Sequence, residues 1–379
     1  MSDSQAADVR VAIAEVAPRL LDLDANVETA CALVREAAAE GALIVAFGEA
    51  WLTGYPIHVW AAPQSDLWWR FAAQYLDRAL EFPSNAIETL ETTARECGID
   101  IVIGASEREP VTQGTLYSSI ALVGAEGRLL GKHRKLRPAP HERSVWADGE
   151  ASGLKAYARD YGFLSAMTGL EHQMVLPAAA LAEEGTQFHV ASWPGGDAAT
   201  EKGRQAPWRH QQLLSRAFAV QVGSFVLCAA GRLDRDGVPE AYRELFSPLC
   251  SGGNAVYDPF GESVARVGGG ERLFIADCPV GLISAAKVGF DGGGHSARMD
   301  QLELRNHART DGFGDENEAG LAGGALDDAS MDVPQDGEGW GEWDQEQSPS
   351  GAQHDSRPAE ESSAEPARRF SRRDLFRRN

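Results

Sequence analysis

The chain has few cysteines and no close cysteine pairs, no long apolar run, and no excess of basic charge. Each absence removes a class of protein. The five cysteines, Cys31, Cys97, Cys228, Cys250 and Cys278, stand singly in 379 residues. Metal knuckles and dithiol redox motifs need close pairs, and an odd count suits a reducing compartment. Free thiols are expected, with no metal and no other cofactor. No stretch reaches the roughly 18 uncharged apolar residues of a bilayer-crossing helix. The N-terminal MSDSQAADVR lacks the basic-then-apolar layout of a secretory signal. The expectation is a cytoplasmic protein with no membrane span.

The formal charge of −21 is unevenly placed. Residues 311–366 carry 16 Asp and Glu against one Arg, and residues 367–379 carry six Arg against one Asp. That leaves −11 for residues 1–310, an ordinary acidic domain without the basic footprint of a nucleic-acid partner. From residue 311 onward Gly, Asp, Glu, Ser and Pro dominate and aliphatics are scarce. Such a composition buries too little surface to offset the entropy of ordering. The expectation is one folded domain over 1–310 and a disordered acidic tail over 311–379 that ends in an Arg-rich segment.

What is present before residue 310 is a strand–helix alternation in a chain of 43% hydrophobic content, enough for a sizeable core. Strands are predicted at 9–16, 43–47, 101–104, 163–167, 188–193 and 225–229, from β-branched or continuous apolar runs. Helical spacing of apolar residues predicts helices over 25–39 and 85–97, and helices before the strands at 188 and 225. SSIALVGAEGRLLGKHRKL reads as a hairpin turning at Glu126-Gly127, and GNAVYDPFGESVARV as another turning at Asp258 to Gly261. Mixed helix and hairpin connections indicate an α/β fold with helices covering a sheet or a pair of sheets.

Three stretches place ionisable residues at strand ends, where side chains can reach a cleft. LIVAFGEAWLTGYP sets Glu49 directly after a buried strand, a position that suits a general base, with a simple turn cap as the other reading. GKHRKLRPAPHERSVWADGE carries Lys132, His133, Arg134 and Lys135 into a Pro-rich loop, with Glu142 and Trp146 beyond. A lysine near Glu49 can stabilise an anionic intermediate or donate a proton; a solvated basic face is the alternative. YGFLSAMTGLEHQMVL is an apolar strand that turns at Thr168-Gly169 and re-enters as helix through Glu171 and His172. That is the geometry of a nucleophile elbow, yet it carries Thr168 and a glycine.

Together these stretches resemble the nitrilase branch of the carbon–nitrogen hydrolase superfamily over roughly residues 8–306. LIVAFGEAWLTGYP is similar to the family's F-P-E-x-x-x-x-G-Y-P segment, with Gly48 in place of proline and Glu49 on the catalytic glutamate. GKHRKLRPAPHERSVWADGE is similar to the lysine segment, which makes Lys135 the catalytic lysine and Glu142 the additional glutamate. HVASWPG and FDGGGHSARMDQLEL resemble later segments of the same branch. The third motif, C-W-E-x-x-M-P-L, aligns without gaps on GLEHQMVL: Glu171, Met174 and Leu176 match, and Gly169, Leu170 and Val175 depart.

The resemblance implies a four-layer αββα sandwich that dimerises or assembles further, and a small nitrile or amide as ligand. It places Gly169 where the family carries its cysteine nucleophile. Tyr55, Trp146, Thr168, Glu171 and His172 are the candidate substrate contacts, and the aromatics Trp51, Tyr55 and Trp146 each either line the pocket or pack between layers. Because the family reaction begins with thiolate attack, ordinary hydrolysis is not expected of a glycine. Three readings stay open: a binding protein or assembly partner that has lost hydrolysis, an enzyme that uses Glu49 and Lys135 without a thiol, with Thr168 as a displaced nucleophile in one version, and an active nitrilase whose nucleophile was replaced by design, against which the departures at Leu170 and Val175 speak. Cys228 reads as buried sheet and is a poor substitute.

Overall fold

A computed structural model describes residues 8–305, except 64, 195, 198–206, 247–248, 251–252 and 299. The tail expected over 311–379 lies outside the described residues.

In chain order the strands are β1 (Val9–Ala14), β2 (Ile44–Ala46), β3 (Asp100–Arg108), β4 (Leu116–Gly124), β5 (Arg128–Arg134), β6 (Tyr157–Arg159), β7 (Gly162–Thr168), β8 (Phe188–Trp193), β9 (Gly196–Asp197), β10 (Phe225–Ala230), β11 (Leu249–Cys250), β12 (Ala255–Tyr257), β13 (Ser263–Val264), β14 (Arg266–Gly268) and β15 (Leu273–Cys278). The helices are α1 (Leu23–Ala39), α2 (Asp66–Asp77), α3 (Asn85–Cys97), α4 (Val175–Glu183), α5 (Pro207–Val222) and α6 (Gly281–Gly289). A seven-stranded sheet runs β14-β15-β1-β2-β3-β4-β5 and a six-stranded sheet runs β13-β12-β10-β8-β7-β6, while β9 and β11 form a small pair.

Each large sheet has a parallel centre, β1-β2-β3 in one and β7-β8-β10 in the other, flanked by antiparallel strands. Parallel neighbours need helical crossovers, which α1, α3, α4 and α5 provide. Strands buried on both faces read as continuous apolar runs. The alternation is visible in β1: Val11 and Ile13 pack against Leu164, Val190 and Leu227 of the second sheet, while Ala12 packs outward under Leu33 and Val34 of α1. On the far side Met167 and Val226 pack under Leu181 of α4 and Phe218 of α5. The layers are therefore helix, sheet, sheet, helix, the expected αββα sandwich.

The expected helix over 85–97 and strand over 188–193 match to the residue, and both hairpins turn where predicted, with the Gly127 N–H donating to Gly124 O and the Gly261 N–H to Asp258 O. The elbow helix is a correction. Residues Gly169–Gln173 form one 3-10 turn, Met174 is extended, and α4 starts only at Val175. Pro177 sits in the first turn of α4, where it sacrifices no helical hydrogen bond.

Among the described residues no helix is long and apolar enough to cross a membrane.

Candidate active site

The two sheets meet at the carboxyl ends of their parallel strands, the usual ligand edge of α/β sheets. Beyond β2 the chain crosses to the second sheet: the Glu49 N–H donates to Trp193 O at 3.0 Å and Ser192 Oγ donates to Phe47 O at 3.0 Å. This crossing brings the backbone very close to the segment after β10. A Cβ at Gly48 would stand 2.6 Å from Gly231 Cα, which explains glycine where the resemblance expected proline.

Glu49, after β2, and Lys135 and Glu142, both from the segment after β5, converge there at 2% exposure or less. Lys135 Nζ donates to Glu49 Oε1 and to Glu142 Oε2, each at 2.7 Å. Ser118 Oγ on β4 also donates to Glu49 Oε1 (2.8 Å). Glu142 is held by the Ala139 N–H at 2.7 Å and by Tyr55 OH at 2.8 Å. Tyr55 packs edge-on against Trp146, whose Nε1 donates to Ser106 Oγ, and Lys135 Nζ lies 5.7 Å from the Trp146 ring centre.

Two carboxylates share one ammonium, so the three charges settle unequally. Burial pushes Glu49 up to about 7, with Glu142 adding to the rise and Lys135 opposing it. For Glu142 burial also raises, but Lys135, the Ala139 N–H and Tyr55 prevail and hold it below the usual range. Lys135 is raised despite burial because both carboxylates favour its charged form. One atom in the cluster is unspent: Glu49 Oε2 is buried without a hydrogen-bond partner.

Gly169 faces that atom. At the end of β7 it takes a left-handed φ of +52°, and a Cβ built there would stand 2.9 Å from both Glu49 Oε2 and Lys135 Nζ. Non-glycine residues hold that conformation only under strain, a known feature of nucleophile elbows.

Sequence reasoning grouped Thr168, Glu171 and His172 with the ligand contacts, and the structure shows what each of them bonds to. All three are buried with their polar atoms turned into the protein. Glu171 accepts from His133 Nε2 (3.1 Å to each oxygen), the Leu136 N–H (2.7 Å), and the N–H and hydroxyl of Thr168 (3.1 Å each). Burial opposes ionisation there, yet His133 and the Leu136 N–H hold Glu171 at about 2. The Thr168 hydroxyl is thus a capping donor, poorly placed as a displaced nucleophile. His172 Nδ1 donates to Gly169 O at 2.8 Å. Trp51 packs against Phe47 in the outer core and donates to Val16 O, away from the cluster. Cys228 is buried in β10, where burial lifts its thiol to about 12 against the pull of Ser215.

Sequence reasoning missed Ser118 and the buried pair Ser165 and His189. A usable signal was present: a polar residue inside an otherwise apolar strand, as in FLSAMT and FHVASW, needs a buried partner. Among the described residues no group of three or more His, Cys, Asp or Glu is placed to hold a metal ion.

A stacked pair of mixed sheets between helical layers, with a buried carboxylate–lysine–carboxylate cluster beside the turn after β7, defines an α/β sandwich. A family model described as carbon-nitrogen hydrolase matches residues 10–288, and the chain belongs to that family. It is 38% identical over 298 residues to a protein named Nitrilase 2 from an unknown prokaryotic organism, covering 77% of this chain and 90% of that one. It is 31% identical over 316 residues to an aliphatic nitrilase of Rhodococcus rhodochrous, covering 79% and 80%. Among solved structures, Nit3 of Saccharomyces cerevisiae, a member of branch 10 of the nitrilase superfamily, gives a TM-score of 0.59 at 20% identity, covering 76% of this chain and 96% of that one. That last likeness concerns the fold alone.

Proposed function

We propose that this chain binds a small nitrile, amide or related carboxylic compound at the Glu49–Lys135–Glu142 cluster, and that Gly169 stands at the nucleophile's position, so that ordinary hydrolysis through a thiol does not occur. The observation that carries this reading is the Cβ position at 169, 2.9 Å from both Glu49 Oε2 and Lys135 Nζ. A side chain there would have a base on one side and a cation on the other. The orphaned Glu49 Oε2 supports the same reading, since a thiol at 169 is the partner it lacks. With a cysteine, Glu49 would take the thiol proton and Lys135 would stabilise the charge that develops on the attacked carbon's heteroatom. With glycine no atom is available to attack, so no thioester forms and no acid is released by that route. Tyr55 and Trp146 are the proposed ligand contacts beside Glu142. Thr168, Glu171 and His172 hold the elbow.

A second reading is an enzyme that acts on C–N bonds through Glu49 and Lys135 without a thiol. The specific observation in its favour is Glu49 itself, pushed up to about 7 and thus suited to exchanging a proton near neutrality. Self-association is also proposed, supported by exposed apolar side chains on the outer helices: Val175 and Leu176 of α4, and Leu213 and Val220 of α5. A cytoplasmic setting remains the expectation.

Ammonia release by the wild-type protein from a panel of nitriles and amides separates the two readings. No release, with saturable ligand binding, is expected. Turnover that disappears in Glu49→Gln would replace the first reading with the second.

A further inference from the structure

Behind the elbow, on the side away from Glu49, lies a second buried polar group that no step of the proposed function uses. Ser165 on β7 and His189 on β8 are directly opposite in the parallel register. Ser165 Oγ is 2.8 Å from His189 Nδ1, His189 Nε2 is 3.0 Å from His172 Nε2, and His172 Nδ1 is 2.8 Å from Gly169 O. Thr186 Oγ1 donates to Ser165 Oγ at 3.0 Å. All four side chains are buried. His172 stacks on Trp193 and His189 on Phe218, so neither ring has freedom to turn.

The protons can be placed by elimination. A carbonyl only accepts, so the proton of His172 is on Nδ1 and its Nε2 is a bare acceptor. His189 therefore donates from Nε2, which leaves its own Nδ1 bare. Ser165 must give its one proton to that Nδ1, and it accepts from Thr186 in turn. Every bond points the same way, from Thr186 to the carbonyl of Gly169. Both rings must be neutral for this order to hold. Burial lowers His172 to about 4, against the pull of the Gly169 carbonyl, and lowers His189 well below the ordinary histidine value.

We propose that Thr186, Ser165, His189 and His172 form a one-way hydrogen-bond relay that pins the Gly169 carbonyl and polarises the Gly169–Leu170 peptide, making the two histidines positioning residues of the elbow. The peptide matters because its other end is the Leu170 N–H. In nucleophile elbows the N–H following the nucleophile position is a donor to the developing negative charge. A hydrogen bond accepted at the carbonyl end of a peptide strengthens the donor at its nitrogen end, and successive bonds in one sense reinforce one another. The relay also fixes the left-handed turn from behind, opposite the charged cluster that faces it. It rests on its own geometry and holds whether or not residue 169 stands in a nucleophile's place.

The test is nitrogen NMR of the full chain labelled uniformly with nitrogen-15, at neutral pH. Resonances are assigned by their loss in His172→Gln and His189→Phe. The wild type is expected to show one tautomer at each site, with the proton on Nδ1 of His172 and on Nε2 of His189. His189→Phe retains a ring to stack on Phe218 and removes the donor. Its expected signature is a changed Nε2 shift at His172, which keeps its proton on Nδ1, and an upfield move of the Leu170 amide proton, with amide exchange at residues 169–171 faster by about tenfold. Ser165→Ala removes a much smaller group and is expected to change the Nδ1 shift of His189 and to move the Leu170 amide proton upfield by a smaller amount, so it carries the test if the phenylalanine variant fails to fold. A purely space-filling histidine pair would leave the Leu170 amide where it is. The opposite tautomer at His172, a protonated ring at either site, or an unmoved Leu170 amide in the folded variants overturns the proposal.

Discussion

Glu49 and Glu171 are both glutamates buried to within 2% exposure, on opposite sides of one glycine, and they settle at opposite ends of the carboxylate range. Glu49 is pushed up to about 7 and Glu171 is held at about 2. Burial disfavours the charge of each, so burial does not distinguish them. Partners do. Both oxygens of Glu171 accept hydrogen bonds, from a histidine, two backbone N–H groups and a hydroxyl. Glu49 concentrates its donors on Oε1, shares its lysine with Glu142, and leaves Oε2 with none. Behind the elbow the Glu171 carboxylate is thus fully partnered, and in front of it the Glu49 carboxylate is not.

The largest stability effect that would break this contrast is expected from Lys135→Met. Removing the ammonium strands two buried carboxylates, and a loss of about 3–5 kcal/mol is expected in urea unfolding. A loss below about 1 kcal/mol would mean that the front cluster is far better hydrated than its geometry indicates.

Glu171→Gln comes next, at roughly 1.5–3 kcal/mol, because it weakens charge-assisted bonds from His133 and the Leu136 N–H. The pH dependence sharpens the contrast. Glu171 has a folded pKa below its unfolded value, so its stabilisation is present above about pH 4.5 and lost as pH falls towards 2. Glu171→Gln is therefore expected to be relatively less harmful in acid than at neutrality, as thermal melts across that window will show.

Gly169→Cys is expected to cost about 1–2 kcal/mol, from a side chain in the left-handed region and a Cβ 2.9 Å from two polar side-chain ends. Both neighbours are the mobile tips of long chains, which keeps the cost moderate.

Glu49→Gln is the smallest effect, within about 1 kcal/mol near pH 4.5, since the amide resembles the protonated acid. Glu49 has the opposite sign to Glu171. Its folded pKa is raised, so its stabilisation is complete below about 4.5 and is lost as pH rises to about 7. The wild type is expected to lose stability relative to Glu49→Gln over that interval, and parallel melting curves would contradict the raised value.

What the sequence made legible follows from the range of each interaction. The helix Asn85–Cys97 is bounded by local signals, Ser84 before it and Gly98 in a left-handed conformation after it, and strand Phe188–Trp193 is an unbroken buried run. The strand Leu273–Cys278 was missed because it is defined by a partner at the other end of the chain: Asp277 on it, which looks like a loop residue, pairs with Arg10. Helix Asp66–Asp77 was missed although its buried residues Phe71 and Tyr75 stand at helical spacing and Ser65 caps it. At the site, Glu49 and Lys135 could be read because each lies just past a strand, Lys135 directly after β5 and Glu49 three residues beyond β2. Ser118 was missed because a polar residue inside an apolar strand signals a buried partner without saying which, and here that partner is Glu49, 69 residues away. Local pattern also could not show that Glu171 and His172 turn inward, since that depends on His133 and His189 from other strands.

The most direct measurement is ammonia release by the wild type and by Gly169→Cys, side by side, on aliphatic and aromatic nitriles and the matching amides. Release by the cysteine variant alone is expected, because Glu49 and Lys135 already flank the position where the new thiol would sit. Release by the wild type at a comparable rate would contradict the assignment of residue 169 as the vacant nucleophile position.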